Sequence, residues 1–326
     1  MSYRIGVDGG GTKTDCILLD AGGAVASHHA APGCNPSLVG PDRARAVLME
    51  ALQALLAAAP RPPDVCGAPV EKAATHPAEV RIAGSASPTV DHLLLCMAGS
   101  QSFWRETAAG ISGCGRVETM PDSSPVLELA TDGAPGLVVH AGTGSFIAAR
   151  APDGSLHYAG GLGWRFGDAA SSHDIGRRAI AEALLELQGW APRTALGDRL
   201  CEHTGLADYV ANSNRFYHEK DADAAIAAFA PRVVSLAGLG CVPAQKVVAE
   251  SLTSLATIVG SVCSRLFPEA TAQAPVRCGV SGALLNSPPC WHTLCALAAA
   301  HAWPVRLHPV TDRPIEGVRR LLQKMA

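Results

Sequence analysis

Ile5-Gly6-Val7-Asp8-Gly9-Gly10-Gly11-Thr12-Lys13-Thr14 is the stretch that decides the fold class. Tyr3, Ile5 and Val7 alternate with other residues at the period of a strand, and a second apolar run, residues 16–19, follows the glycines and ends at Asp20. Gly22-Gly23 then predicts a turn and a third strand from Ala24. Three glycines between two strands let backbone N–H groups converge free of Cβ atoms, which predicts a concave anion nest, with Thr12 and Thr14 adding hydroxyl donors. Asp8, at the strand end, stands where a carboxylate holds Mg2+ or its waters near phosphates. A plain glycine hairpin turn would carry the same residues. No G-K-[ST] opens a helix here, and a strand rather than a helix follows, so the run is neither a Walker A loop nor a Rossmann fingerprint.

Residues 137–139 form an apolar strand that runs into Gly142-Thr143-Gly144-Ser145 and a further strand over 146–149, repeating the device. Two such hairpins, one in each half, predict two jaws on one polyphosphate.

Outward from these turns, Pro41 opens a predicted helix with Leu48, Leu52, Leu55 and Leu56 on one face. Residues 60–90 hold six prolines among Gly, Ala and Ser and no motif, so they are expected to form a surface loop or disordered insertion dispensable for chemistry. A buried strand over 93–97 ends at Ala98-Gly99-Ser100, and Asp122 precedes a helix reaching about residue 130. Asp153-Gly154 predicts a hairpin turn, and the chain turns helical from Ser171. The longest helix, over 244–266, places Val248, Leu252, Leu255, Val259, Val262 and Leu266 in one core stripe. A strand over 276–280, a glycine-rich turn and two helices close the chain. Both halves open on strands and continue in helices, which predicts two related α/β domains, 1–132 and 133–309, with the C-terminal helix over 310–326 packing back on the first.

The 326 residues are 48% hydrophobic and 17% charged, enough for two cored domains. A net charge of −3 argues against a nucleic-acid partner, which Lys and Arg excess would mark. No apolar run reaches the roughly 18–20 residues that span a bilayer, and no leader pattern precedes Tyr3, so a cytoplasmic protein without membrane contact is expected. Eleven scattered cysteines without a C-x-x-C predict reduced, structural thiols. His28-His29, His301 and His308 lack metal-ligand spacing, and Arg177-Arg178 and Arg319-Arg320 read as solvated helix faces.

The motifs I-G-V-D-G-G-G-T-K-T, A-G-T-G-S, G-G-L-G-W-R-F-G-D-A-A-S-S and V-S-G-A-L-L-N-S, in this order and spacing, resemble the BadF/BadG/BcrA/BcrD-type ATPase family, and within it the N-acetylglucosamine and glucosamine kinases. The resemblance implies an actin/hexokinase-like (ribonuclease H-like) fold, an α/β pair of related ATPase domains flanking a cleft. It implies ATP and Mg2+ as cofactors and a small-molecule sugar as substrate, with a homodimer as the assembly to test. Carried over residue by residue, it makes Gly9, Gly10, Gly11, Thr12 and Lys13 the first phosphate loop and Gly142, Thr143 and Gly144 the second. Gly282 and Ala283 would lie beside the adenosine. Asn35, in Gly33-Cys34-Asn35, would hydrogen-bond the sugar together with Gly99, Asp122, Thr143 and Asp168, and Asp8 would hold Mg2+ through water. Asp122 matches the catalytic aspartate, and phosphoryl transfer needs just such a carboxylate to take the hydroxyl proton. On its own, Asp122 reads sooner as a helix N-cap than as a base, and Asp168 reads equally as a turn residue.

The chain departs from the family pattern in three places. Asp168-Ala169-Ala170-Ser171-Ser172 stands where G-D-E-G-S is common, so any positive φ at Ala170 is less comfortable. Leu162 stands where animal-type kinases carry tryptophan, with Trp164 two residues on, and His140 stands where an apolar residue is usual, its expected role a hydrogen-bonded structural one. The function expected is transfer of the ATP γ-phosphate to a hydroxyl of N-acetylglucosamine or glucosamine. The alternatives are a kinase of another sugar and a BadF-type ATPase that activates a partner enzyme. The latter calls for cysteines beside the second loop, and none lies between Cys114 and Cys201.

Overall fold

Glycine-centred hairpins start a sheet twice in this chain, and the helices that follow each hairpin cover the sheet it starts. The computed structural model describes residues 2–59, 80–81 and 89–325, which divide into two units: residues 1–129 with 312–326, and residues 130–311.

In the first unit β1 (Ser2–Gly9), β2 (Lys13–Leu19) and β3 (Val25–Pro32) form an antiparallel meander. Helices α1 (Pro36–Val39) and α2 (Pro41–Ala57) follow, then β4 (Val80–Arg81), β5 (Thr89–Met97), α3 (Gln101–Ala109), β6 (Ile111–Ser112), β7 (Arg116–Pro121) and α4 (Ser123–Thr131). The sheet order is β3-β2-β1-β5-β7, with β5 parallel to both neighbours. Most of the expected 60–90 loop lies outside the described residues, at 60–79 and 82–88. Two parts of that expectation are corrected: Val80–Arg81 pairs with β6, and β5 begins at Thr89.

Period-2 geometry sends successive β5 side chains to opposite faces, and both faces are covered. Leu93 and Leu95 join Ile5, Val7 and the α2 leucines 48, 52 and 55 on one face. Leu94 and Cys96 join Ile17 and Leu19 on the other, under Ile315, Val318 and Leu322 of the C-terminal helix, Pro314–Lys324. The same helix pairs Lys324 with the buried carboxylate of Glu128 at 2.5 Å.

The second unit repeats the plan. An antiparallel triplet, β8 (Gly136–Ala141), β9 (Ser145–Arg150) and β10 (Leu156–Gly160), precedes five helices: α5 (Ser172–Gln188), α6 (Ala195–Thr204), α7 (Tyr209–His218), α8 (Ala222–Gly238) and α9 (Val242–Leu266). The parallel strands β11 (Val276–Ser281) and β12 (Val305–Val310), with α10 (Pro288–Ala300) between them in sequence, complete the order β10-β9-β8-β11-β12. Strand β12 is absent from the sequence reading because Pro309 argues against a strand interior, yet β12 is an edge strand, where a missing N–H is tolerated. By length and composition α9 could cross a membrane, contrary to the expectation that no segment could. Its Val248, Leu252, Leu255 and Val259 are buried in the core beside Phe229 and Val233 of α8.

Gly6 has no room for a side chain. A Cβ there would stand 2.6 Å from Val318 Cγ1 and 2.9 Å from Leu322 Cδ1. Gly6→Ala is therefore expected to cost about 1–3 kcal/mol by overpacking the C-terminal helix. Thermal melts should show a fall of several degrees, part of which Val318→Ala recovers in the double variant. Strictly additive losses would show that helix and strand are not in the contact described.

Candidate functional site

In the first unit the carboxyl ends of β1, β5 and β7 carry the predicted residues. The β1–β2 turn is Gly10-Gly11-Thr12, and Gly10 N–H donates to Lys13 O at 2.9 Å, which leaves the amides of Gly11 and Thr12 open to an anion. None of Gly9, Gly10 and Gly11 has a positive φ, so the glycines serve close approach rather than turn conformation. A Cβ on Gly9 would stand 2.6 Å from Met97 Cε and 2.9 Å from Cys34 Sγ, and one on Gly33 would collide with the Gly11 backbone. The Gly33-Cys34-Asn35 segment thus lies against the turn, fixed by Cys34 N–H donating to Gly10 O at 3.1 Å.

Thr14 and Lys13 are engaged within the protein. Thr14 is fully buried and donates to Pro32 O at 2.8 Å, which corrects its reading as a free hydroxyl donor. Lys13 Nζ is 2.7 Å from Asp15 Oδ2.

Asn35 caps α1: its Oδ1 accepts from Ser37 N–H at 3.0 Å, so its amide N–H2 is the end left for a ligand. Gly99, at φ +88°, lies against it; a Cβ there would be 2.6 Å from Asn35 Oδ1. Two residues that sequence reasoning missed hold that segment: Gln101 Nε2 donates to Met97 O and Trp104 Nε1 to Ala98 O, each at 2.8 Å.

Asp122 follows β7 and directly precedes α4. Its carboxylate accepts from its own amide and that of Ser123, but burial outweighs both and raises its pKa. Asp8 is pushed up further, to about 7, first by burial and then by the negative charges of Asp122 and Asp15, against the weaker pull of Lys13 and Arg313. Asp15, opposite Asp8 in the ladder, is also driven up by burial, yet hydrogen bonds from Lys13 and Arg313 hold it below the usual carboxylate range. Among the described residues no three His, Cys, Asp or Glu side chains cluster as a metal cage. Asp8 still fits a hard cation, because its oxygens lack a paired positive charge and Mg2+ is commonly held by one or two carboxylates plus phosphates and waters.

In the second unit the β8–β9 turn is closed by Gly142 N–H donating to Gly144 O at 2.8 Å, with Thr143 at the tip. Ser172 donates to Gly142 O through both its amide (2.8 Å) and its hydroxyl (2.9 Å). Asp168 comes to the same turn: a Cβ on Gly144 would stand 2.7 Å from Asp168 Oδ2, and Gly163 N–H donates to Oδ1 at 3.2 Å. Burial raises its pKa. Gly282, at φ +104°, packs on the Ala141 carbonyl, where any Cβ would clash. Gly142, Ala283, Gln245 and His292 line a cavity of about 1070 Å³ floored by α8 and α9 residues. A second cavity of about 670 Å³ is lined by Asp168, Leu162, Trp164 and the arginines 165, 177 and 178. Arg177 is exposed, as expected of a solvated helix face, while Arg178 is half-buried; both pair with buried Asp174, at 3.3 and 2.9 Å. His140 Nδ1 lies 3.1 Å from Ser281 Oγ, its ring stacks on Phe146, and burial pushes its pKa down to about 4.

Because the Asp8 carboxyl titrates near 7 when folded and near 4 when unfolded, the folded state binds the extra proton between those values, and stability falls as pH rises across them. The difference amounts to about 4 kcal/mol. Asp8→Asn, uncharged and of the same shape, should match the wild type in melting temperature at pH 4.5 and exceed it at pH 8. An equal offset at both values would mean that Asp8 carries no such penalty.

The sequence profile of the BadF/BadG/BcrA/BcrD ATPase family matches residues 5–272. No curated protein matches the sequence. Among solved structures, a candidate N-acetylglucosamine kinase from Chromobacterium violaceum is similar at 24% identity and a TM-score of 0.71, over 98% of this chain and 99% of that one. One from Porphyromonas gingivalis is similar at 16% identity and 0.67, over 99% and 100%. A ROK family glucokinase from Streptomyces griseus, solved with glucose and AMPPNP, is similar at 13% identity and 0.55, over 99% and 98%. The chain shares the actin/hexokinase-like fold of these structures, and its own two units each hold a five-stranded sheet ordered alike. With most of its length inside the profile, the chain belongs to the BadF/BadG/BcrA/BcrD ATPase family.

Proposed function

We propose that this ATPase-family member is a sugar kinase that transfers the ATP γ-phosphate to a hydroxyl of an amino sugar, N-acetylglucosamine or glucosamine. The observation that carries this reading is Asp122, a half-buried carboxyl with raised pKa at the end of β7, beside a strand end that leads to Gly99, against which Asn35 lies. A carboxylate made more basic by burial is suited to accept a hydroxyl proton as the oxygen attacks phosphorus. The new bond joins sugar oxygen to the γ-phosphorus, the bond to the β-phosphate oxygen breaks, ADP leaves, and the proton stays on Asp122.

The nucleotide is assigned to the larger cavity, whose volume suits a nucleoside and whose lining includes Gly142 and Ala283, with Thr143, Gly144 and Gly282 as their chain neighbours in the second phosphate loop and adenosine contact, and Gly9 to Lys13 as the first phosphate loop. Asp8 would hold Mg2+, through water, and a divalent cation supplies charge neutralisation on the phosphates. Asn35 donates to a sugar hydroxyl through Nδ2, and Asp168 accepts from another. Leu162, 65% exposed, gives no aromatic wall, so discrimination for the N-acetyl methyl should be modest, about 1–3 kcal/mol. The free cysteines fit a reducing cytoplasm.

ADP release measured with glucosamine, N-acetylglucosamine and glucose tests the assignment, and higher kcat/KM for an amino sugar is expected. If glucose equals both, the acceptor is misassigned; if ATP is hydrolysed with no sugar phosphorylated, the chain drives a partner instead. Asp122→Asn should lower kcat about 10²–10⁴-fold with little change in either KM. If turnover survives and only thermal stability falls, Asp122 is a helix cap. Asn35→Ser keeps an α1 cap but loses the amide donor, so sugar KM should rise while melting temperature and ATP KM hold. Unchanged sugar KM would remove Asn35 from the acceptor site.

A further inference from the structure

Asp168 and Ala170 both adopt left-handed backbone, at φ +61° and +64°. Aspartate tolerates that region, whereas a fully buried alanine enters it only when its surroundings impose it. The imposing groups lie on two helices. Ala170 N–H donates to Ser251 Oγ of α9 at 3.0 Å and lies 3.4 Å from Asp174 Oδ2 of α5. Ser251 Oγ in turn donates to Asp174 Oδ2 at 2.5 Å. Arg178 Nε and Arg177 Nη2 donate to the other carboxylate oxygen, and Asp174 N–H donates to Ser171 Oγ. Ser251 is completely buried between the core residues Val248 and Leu255 of its helix, where a hydroxyl is costly unless partnered on both sides. The neighbouring carbonyl of Ala169 is held from the other side by Ser145 Oγ at 2.7 Å.

We infer that Ser251 and Asp174 are positioning residues that clamp the Ala170 amide and thereby fix where the Asp168 carboxylate points. The inference rests on the proposed kinase reading, in which Asp168 contacts the sugar. The turn is strained, Asp168 lies two residues from the clamped amide, and its Oδ2 already touches the Gly144 turn, so a small relaxation at Ala170 redirects the carboxylate. Substrate affinity, rather than the chemical step, is what such a shift degrades.

Ser251→Ala removes the relay and leaves Asp174 compensated by its two arginines. Sugar KM is expected to rise about tenfold or more, with ATP KM within twofold. Ala170→Gly in the same chain should bring sugar KM back to within about threefold of wild type, since glycine adopts φ +64° without a clamp. A packing role alone would not be rescued by that change, so failure of the rescue, or equal rises in both KM values, overturns the inference. Hydrogen exchange gives an independent readout: protection of the Ala170 amide should fall at least tenfold in Ser251→Ala, and unchanged protection overturns the clamp. If Ser251→Ala does not fold, Asp174→Asn is read by the same criteria. A wild-type chain that phosphorylates no amino sugar refutes the kinase reading, and the exchange result then decides the clamp alone.

Discussion

Three carboxyl groups gathered at one end of a single sheet, two of them buried and the third half-buried, set the terms for the first unit. Asp8 and Asp15 face each other across the β1–β2 ladder, and the charge of Asp122 acts on Asp8 as well. Asp15 is compensated by Lys13 at 2.7 Å and Arg313 at 2.9 Å, with the His28 ring 3.5 Å away. Arg313 immediately precedes the C-terminal helix, so the cation that neutralises the hairpin arrives with the helix that covers the far face of the sheet. Charge compensation and apolar burial are thereby coupled in one segment nearly three hundred residues along the chain from the hairpin. Asp8 shares the fields of Lys13 and Arg313 but makes no direct pair with them. It remains the group whose ionisation the fold resists.

Two segments, the β1–β2 turn with Gly33 beside it and residues 160–170, use glycine for different physical ends. In the first, Gly9 and Gly33 let backbone and sulfur atoms come within contact distance of the turn. In the second, the segment over 160–170 passes repeatedly through left-handed backbone, at Gly160, Gly161, Gly163, Asp168 and Ala170. Close approach needs nothing beyond the missing Cβ. A run of left-handed residues needs external hydrogen bonds wherever the residue is not glycine, which is why hydroxyl and carboxylate groups gather around Ala170.

Local patterns carried the fold far. The alternation at Tyr3, Ile5 and Val7, the turn at Asp153-Gly154 and the α9 stripe all lie where periodicity put them. What escaped was decided by distant partners. Pro309 hid β12 because edge position is not written locally. Thr14 reads as a ligand donor until Pro32 is folded against it, and Arg178 reads as solvated until Asp174 turns beneath it. Ser251 offered no signal beyond being a polar residue in an apolar stripe, seventy-seven positions from its partner Asp174. A serine at a core position of a long amphipathic helix is nonetheless the kind of local inconsistency that marks a buried network.

Asp8 and His140 occupy matching positions in the two units. Each stands two residues before the glycine that opens its turn, at the end of the first strand of its unit. Burial acts on both in the same sense, disfavouring charge: it raises the acid to about 7 and lowers the base to about 4. The consequences differ because the partners differ. His140 has Ser281 beside it and Phe146 stacked on it, so near pH 7 it is neutral, satisfied and indifferent to added cations. Asp8 near pH 7 is poised between its two forms, because burial and the like charges of Asp122 and Asp15 outweigh the pull of Lys13 and Arg313. An approaching positive charge would therefore shift its ionisation strongly, while the equivalent strand end of the second unit would not respond. The same strand order thus yields one end that reacts to a cation and one that only holds its turn in place.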